Sequence, residues 1–88
     1  MKEILKYTFP PEAGPVVLSV KKNAQFLSAS AQLGVIVVFA LVDVEQGLVE
    51  NVTFEALSVG ETYSAVNRVF IDRVHMCPNR DYLVFRRV

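Results

Sequence analysis

The chain has 88 residues, 52% hydrophobic and 20% charged, with a net charge of zero; this bounds it to one small globular domain. So apolar a composition argues against intrinsic disorder, and balanced charge argues against long nucleic acid as a partner because phosphate attraction is weak. A domain of this size buries only about 60–65% of its unfolded surface. The apolar excess therefore points to an unusually full core or to a patch shared between subunits, and a homo-oligomer is the expectation.

Residues 1–7 contain neither a long apolar run nor a small-residue cleavage site. No signal peptide is expected, and a lone cysteine, Cys77, excludes an intrachain disulfide. Both fit a cytoplasmic protein.

Residues 3–9 alternate, with Leu5, Tyr7 and Phe9 on one face and Ile4, Lys6 and Thr8 on the other; they read as a first strand. Pro10, Pro11 and Pro15 cannot donate to a ladder, so residues 10–15 are a loop. Residues 16–20 form a short second strand, followed by a polar turn at 21–23. Residues 24–32 form the third, with Phe26, Ser28, Ser30 and Gln32 opposite Leu27, Ala29 and Ala31. Small side chains there let another layer approach closely. Leu33-Gly34 is a tight hairpin turn, with Gly34 supplying a positive φ.

Residues 35–42 follow, eight apolar residues in a row, four of them valine, closed by Asp43. β-Branched and aromatic side chains favour a pleated surface. The run suits a strand and is far short of the roughly 20 residues a membrane helix needs. Lacking alternation, it must take both faces out of water: one into the core, the other against a second sheet, a loop or another subunit.

Residues 44–47 make the next turn. Residues 48–59 alternate as a strand with one wet face: Val52, Phe54 and Ala56 inward, Asn51, Thr53 and Glu55 outward. Residues 60–64 are a loop, with a short helical turn considered at 62–67. Residues 66 or 67 to 76 form a long strand whose two faces are both mixed in polarity, so a bulge is expected. A turn at 78–81 leads to a last strand over 82–88. Seven short antiparallel strands without a convincing helix predict an all-β fold, a small antiparallel sandwich or partly open barrel.

Little in the sequence carries chemistry. His75 and Cys77 share a strand face, yet a metal site needs two further ligands, and a Cys–His pair needs an orienting acceptor that Arg73 cannot be. Glu50 and Glu55 fall on opposite faces of one strand; Asp72 and Asp81 are expected to pair with Arg68, Arg73 or Arg80. The four glycines sit in separate turns, so no phosphate-cradling loop exists. No enzyme activity, cofactor or metal is expected.

The charge distribution says more. All four lysines lie within residues 1–22 and all five arginines within 68–88, while 23–67 hold five carboxylates and neither cation. Arg68, Arg73, Arg80, Arg86 and Arg87 sit on one predicted hairpin. Guanidinium groups fork onto carboxylates and phosphates in a way ammonium groups do not. Tyr63, Tyr82 and Phe85 supply stacking surfaces, and Asn67, Asn79 and Gln32 supply edge-reading amides. The candidate ligand-binding set is Arg68, Arg73, His75, Arg80 and Tyr82, for a nucleotide-like or other small anion. The alternative is that edge arginines block aggregation and pair with carboxylates.

Several blocks together carry a resemblance: Ile4-Leu5-Lys6-Tyr7-Thr8-Phe9-Pro10, Asn23-Ala24-Gln25-Phe26-Leu27-Ser28, Phe39-Ala40-Leu41-Val42-Asp43 and Leu83-Val84-Phe85. In this order they resemble a family of short bacteriophage and prophage proteins with a Lys-Tyr-x-(Ile/Phe)-Pro start and a central aromatic-Ala-Leu-Val-Asp strand. Phe39 stands where many relatives have Trp, and the segment after Gly60 departs from their pattern. The resemblance implies a phage accessory protein in the host bacterial cytoplasm. Small size, apolar excess and the arginine cluster together suggest a non-catalytic, homo-oligomeric anti-defence protein that sequesters a nucleotide-like signal. The alternatives are a module that inhibits a host defence protein and a minor virion or assembly component.

Overall fold

The computed structural model describes residues 1–60, 67–76 and 79–88. It contains seven strands: β1 (Lys2–Phe9), β2 (Val16–Lys21), β3 (Gln25–Gln32), β4 (Val35–Asp43), β5 (Val49–Ser58), β6 (Arg68–Met76) and β7 (Arg80–Arg87). All pairings are antiparallel, in a three-stranded sheet of order β1-β4-β3 and a four-stranded sheet of order β2-β5-β7-β6. The fold is all-β as expected, two antiparallel sheets that match a small sandwich or partly open barrel, with no helix among the described residues. The helical turn considered at 62–67 lies outside them except for Asn67, and Tyr63 and Cys77 lie outside them as well.

The core forms where the sheets face each other: Phe9, Ile36 and Val38 from one, Val20, Val52, Phe54, Val74 and Val84 from the other. Phe54 anchors it, stacked on Phe9 at 5.9 Å and meeting Phe26 edge-on at 5.1 Å between ring centroids. The apolar run becomes β4, the central strand of its sheet. Its inward residues Ile36, Val38, Ala40 and Val42 are buried. On the other face Val37, between Thr8 and Ser30, is buried too, while Phe39 and Leu41 stay half-buried.

The β3–β4 hairpin closes through the two residues Leu33 (φ 51°) and Gly34 (φ 81°). Positive φ at both positions is what a type I′ turn requires, and that turn matches the strand twist. Leucine, unlike asparagine, has no side-chain hydrogen bond to offset the left-handed conformation.

Two expectations are corrected. Glu55, assigned to the wet face of β5, is only 3% exposed. It does lie on the outer face of its sheet, but Phe85 stands opposite it and two arginines bind it. Asp72, expected to pair with an arginine side chain, instead accepts from the backbone amides of Ala29 (2.9 Å) and Arg73 (2.8 Å). The first of these bonds joins the β3 edge to the β6 edge across the two sheets. The bulge expected in β6 is present, as a register shift between Phe70 and Asp72.

Candidate functional site

β6 and β7 form one hairpin, so the five arginines share one supersecondary unit, as their clustering predicted. Pairing sorts them along it: Arg68 stands opposite Arg87 at one end, and Met76 opposite Arg80 at the other. The ends are roughly 25 Å apart at the usual rise per residue.

At the far end, Arg68 Nε donates to Glu55 Oε1. Arg87 donates to the same carboxylate through Nε (3.2 Å) and Nη2 (3.4 Å). The Arg68 hydrogen bond holds the Glu55 pKa below its ordinary value; burial opposes this and Arg87 reinforces it. Arg86, on the opposite face, lies over the Phe26 ring at 5.3 Å, with a buried Nε that has no hydrogen-bond partner among the described residues.

At the near end, the proline-rich loop after β1 folds toward β7. Pro10 and Pro11 stiffen it, the Ala13 amide bonds back to the Pro10 carbonyl at 3.4 Å, and Gly14 turns it at φ 73°. This brings Glu12 against Arg80, to which it is ion-paired through Nη1. Arg80 also reaches the Tyr82 hydroxyl at 3.5 Å, and the two contacts raise its pKa further. Tyr82 is buried and forms a wall, with its hydroxyl toward Arg80.

Between this loop, the β3–β4 turn and the hairpin end lies a cleft of about 420 Å³, lined by Pro10, Pro11, Glu12, Gly34, Met76, Arg80 and Tyr82. A second depression of about 350 Å³ runs between the loop and β5, and a third of about 270 Å³ lies against Ser58, Val59 and Asn79. Arg80 and Tyr82 line all three. His75 lines a neighbouring hollow of about 300 Å³ with Ala31, Leu33, Gly34 and Met76. Its Nδ1 lies 2.9 Å from Asp81 Oδ1, and Arg73 Nη2 donates to Asp81 Oδ2 at 3.0 Å. His75 and then Arg73 hold the Asp81 pKa below its ordinary value.

Of the five residues predicted to bind ligand, Arg80 and Tyr82 therefore share the cleft, and His75 and Arg73 adjoin it through Asp81. Arg68 is a strand's length away, committed to Glu55. Sequence reading missed Glu12; its signal was a carboxylate inside a proline-stiffened loop. Among the described residues no group of three metal-ligating side chains occurs. No described helix is long and apolar enough to cross a membrane.

No curated protein and no solved structure matches the chain. A family model does, over residues 1–87, which is nearly the whole sequence and every strand of the sandwich. The chain belongs to the family of a domain of unknown function, DUF7352.

Proposed function

We propose that this protein is a non-catalytic binding protein whose near-end cleft takes a small, nucleotide-like anion. The observation that carries the reading is the convergence of three adjoining depressions on one guanidinium, Arg80, backed by the Tyr82 wall. A volume of about 420 Å³ falls in the range of small-molecule sites, roughly 300–1,000 Å³. Pro10, Pro11 and Met76 offer an apolar surface for a flat ring, and Arg80 offers a forked donor for phosphate. Glu12 occupies that donor through a pair exposed on both sides, so an incoming anion exchanges one weak surface partner for another.

Resemblance to short phage proteins supports an accessory role in the host bacterial cytoplasm; small size, apolar excess and the arginine cluster support a homo-oligomer that sequesters an anionic immune signal. The test is calorimetric titration of the full chain with a panel of mononucleotides and cyclic nucleotides. Binding of one of them, weakened at least tenfold by Arg80→Ala and unchanged by Arg87→Ala, is the expected result. No binding across the panel, or equal loss in both variants, overturns the reading.

One observation favours a second reading, inhibition of a host defence protein. Leu33 is fully exposed beside the cleft and holds a left-handed backbone that leucine adopts at a cost. An apolar side chain held clear of the surface at a turn tip is shaped to enter a pocket of a partner protein. Stoichiometric capture of one host protein, lost in Leu33→Asn, supports it.

A further inference from the structure

The two sheets leave four edge strands, and three of them are managed. The β3 and β6 edges face each other and share the Ala29–Asp72 hydrogen bond. The β2 edge is partly capped from the other sheet, where the Tyr7 hydroxyl accepts from the Lys21 amide at 3.3 Å. The fourth, β1, has eight residues with no proline or glycine and pairs only with β4. Among the described residues nothing hydrogen-bonds along its outer side. Lys2 and Lys6 discourage partners that set a cation opposite them, which leaves the edge a template for a strand that avoids this.

The register of β1 decides which groups it presents. The Val44 amide donates to the Met1 carbonyl at 3.0 Å, so Met1 and Val44 form a hydrogen-bonded pair in the β1–β4 ladder. Hydrogen-bonded and non-hydrogen-bonded pairs alternate in antiparallel sheets. Glu3, Leu5, Tyr7 and Phe9 therefore turn their backbone groups toward β4. Lys2, Ile4, Lys6 and Thr8 turn theirs outward.

We infer that the β1 edge pairs antiparallel with β1 of a second copy about a two-fold axis at Leu5, making a continuous six-stranded sheet. The outward-turned groups of two copies match each other, which suits a second copy as occupant, and charge with overlap sets the register: an axis at Tyr7 pairs only residues 5–9, against 2–8 at Leu5. An axis at Ile4 sets Lys2 against Lys6 of the second copy, and an axis at Lys6 sets the two Lys6 side chains against each other; like charges opposed across strands are unfavourable. An axis at Leu5 sets Lys2 against Thr8, Glu3 against Tyr7, Ile4 against Lys6 and Leu5 against itself, with no like pair. It also matches outward-turned residues with outward-turned residues, so the new ladder forms hydrogen bonds, and it keeps both cores on one side of the sheet. Ile4, exposed in the single chain, is covered by the Lys6 stem of the second copy. The inference deepens the homo-oligomer part of the proposed function and is independent of its ligand part: the cleft lies at the Phe9 end of β1, and a monomer that binds nucleotide breaks the assembly reading while leaving the ligand reading intact.

The test is native mass spectrometry and sedimentation of the full chain at tens of micromolar. The expected species is a dimer of the 9.8 kDa chain, or a multiple of it. Ile4→Pro removes an outward amide that β4 does not use, an edge position where proline is tolerated. It should reduce the assembly to monomer, or to half its mass, with an unchanged circular dichroism spectrum. A monomeric natural chain, or a folded Ile4→Pro variant with undiminished mass, overturns the proposal. Should Ile4→Pro fail to fold, the exposed Thr8 decides. Thr8→Lys, facing Lys2 twice across the axis, should raise the dissociation constant about tenfold, and Thr8→Glu should lower it. Equal constants for the two variants overturn it.

Discussion

Both ends of the β6–β7 hairpin carry arginine held by carboxylate, and they differ in their access to water. At the far end Glu55 and Arg68 have side chains 4% and 12% exposed, with Arg87 closing over the same carboxylate. At the near end Arg80 and Glu12 are 60% and 69% exposed, beside an open cleft. A buried pair cannot release its partner without leaving a charge in a poor dielectric, so it behaves as part of the framework. An exposed pair exchanges its carboxylate for water or another anion at little expense. Identical residue types thus yield a structural clamp at one end and a candidate binding site at the other, and burial alone separates them.

The contrast is tested most severely by removing each carboxylate. Glu55→Gln removes a buried carboxylate that two guanidinium groups share and should destabilise the fold by about 3 kcal/mol in urea denaturation. Glu12→Gln should change stability by less than about 0.5 kcal/mol. Similar losses from the two would mean that burial does not distinguish the ends.

Acid should act on the far end as well. The folded-state pKa of Glu55 lies below its unfolded value of 4.5. Its ion pairs therefore stabilise the fold fully above the unfolded pKa, and that contribution is lost as pH falls through the folded pKa. Thermal melts from pH 7 downward should stay flat to about pH 5 and then decline, and Glu55→Gln should flatten part of the decline. An identical acid limb in the variant would assign acid lability elsewhere.

Glu12→Gln sharpens the comparison from the other side. If Glu12 competes with ligand for Arg80, its loss should tighten nucleotide binding about three- to tenfold by calorimetry, while stability holds. Weaker binding would make Glu12 part of the receptor and not a competitor.

The smallest effect concerns the turn between the ends of β3 and β4. Leu33→Asn keeps the type I′ geometry with a residue that favours it and should stabilise the chain by about 0.5–1 kcal/mol. Destabilisation would show that the Leu33 side chain contributes packing that its full exposure does not suggest.

Local signals in the sequence determined the seven strands, the Leu33-Gly34 turn, the proline loop and the bulge in β6. Each is written in a few consecutive residues as alternation, a breaker or a clash of polarity. The gathering of five arginines on one hairpin was legible for the same reason, since the hairpin is continuous in sequence. Only the tertiary structure decided which carboxylate meets which arginine. Glu55 reads as a solvated residue of an alternating strand, and it is buried because β7 sets Phe85 opposite it and β6 and β7 bring two guanidinium groups over it. Glu12 reads as loop decoration, and it reaches Arg80, 68 positions away, because the proline loop after β1 folds toward the start of β7. Strand pattern fixes the direction in which a side chain points; what waits there depends on sheet order, which no short stretch of sequence encodes.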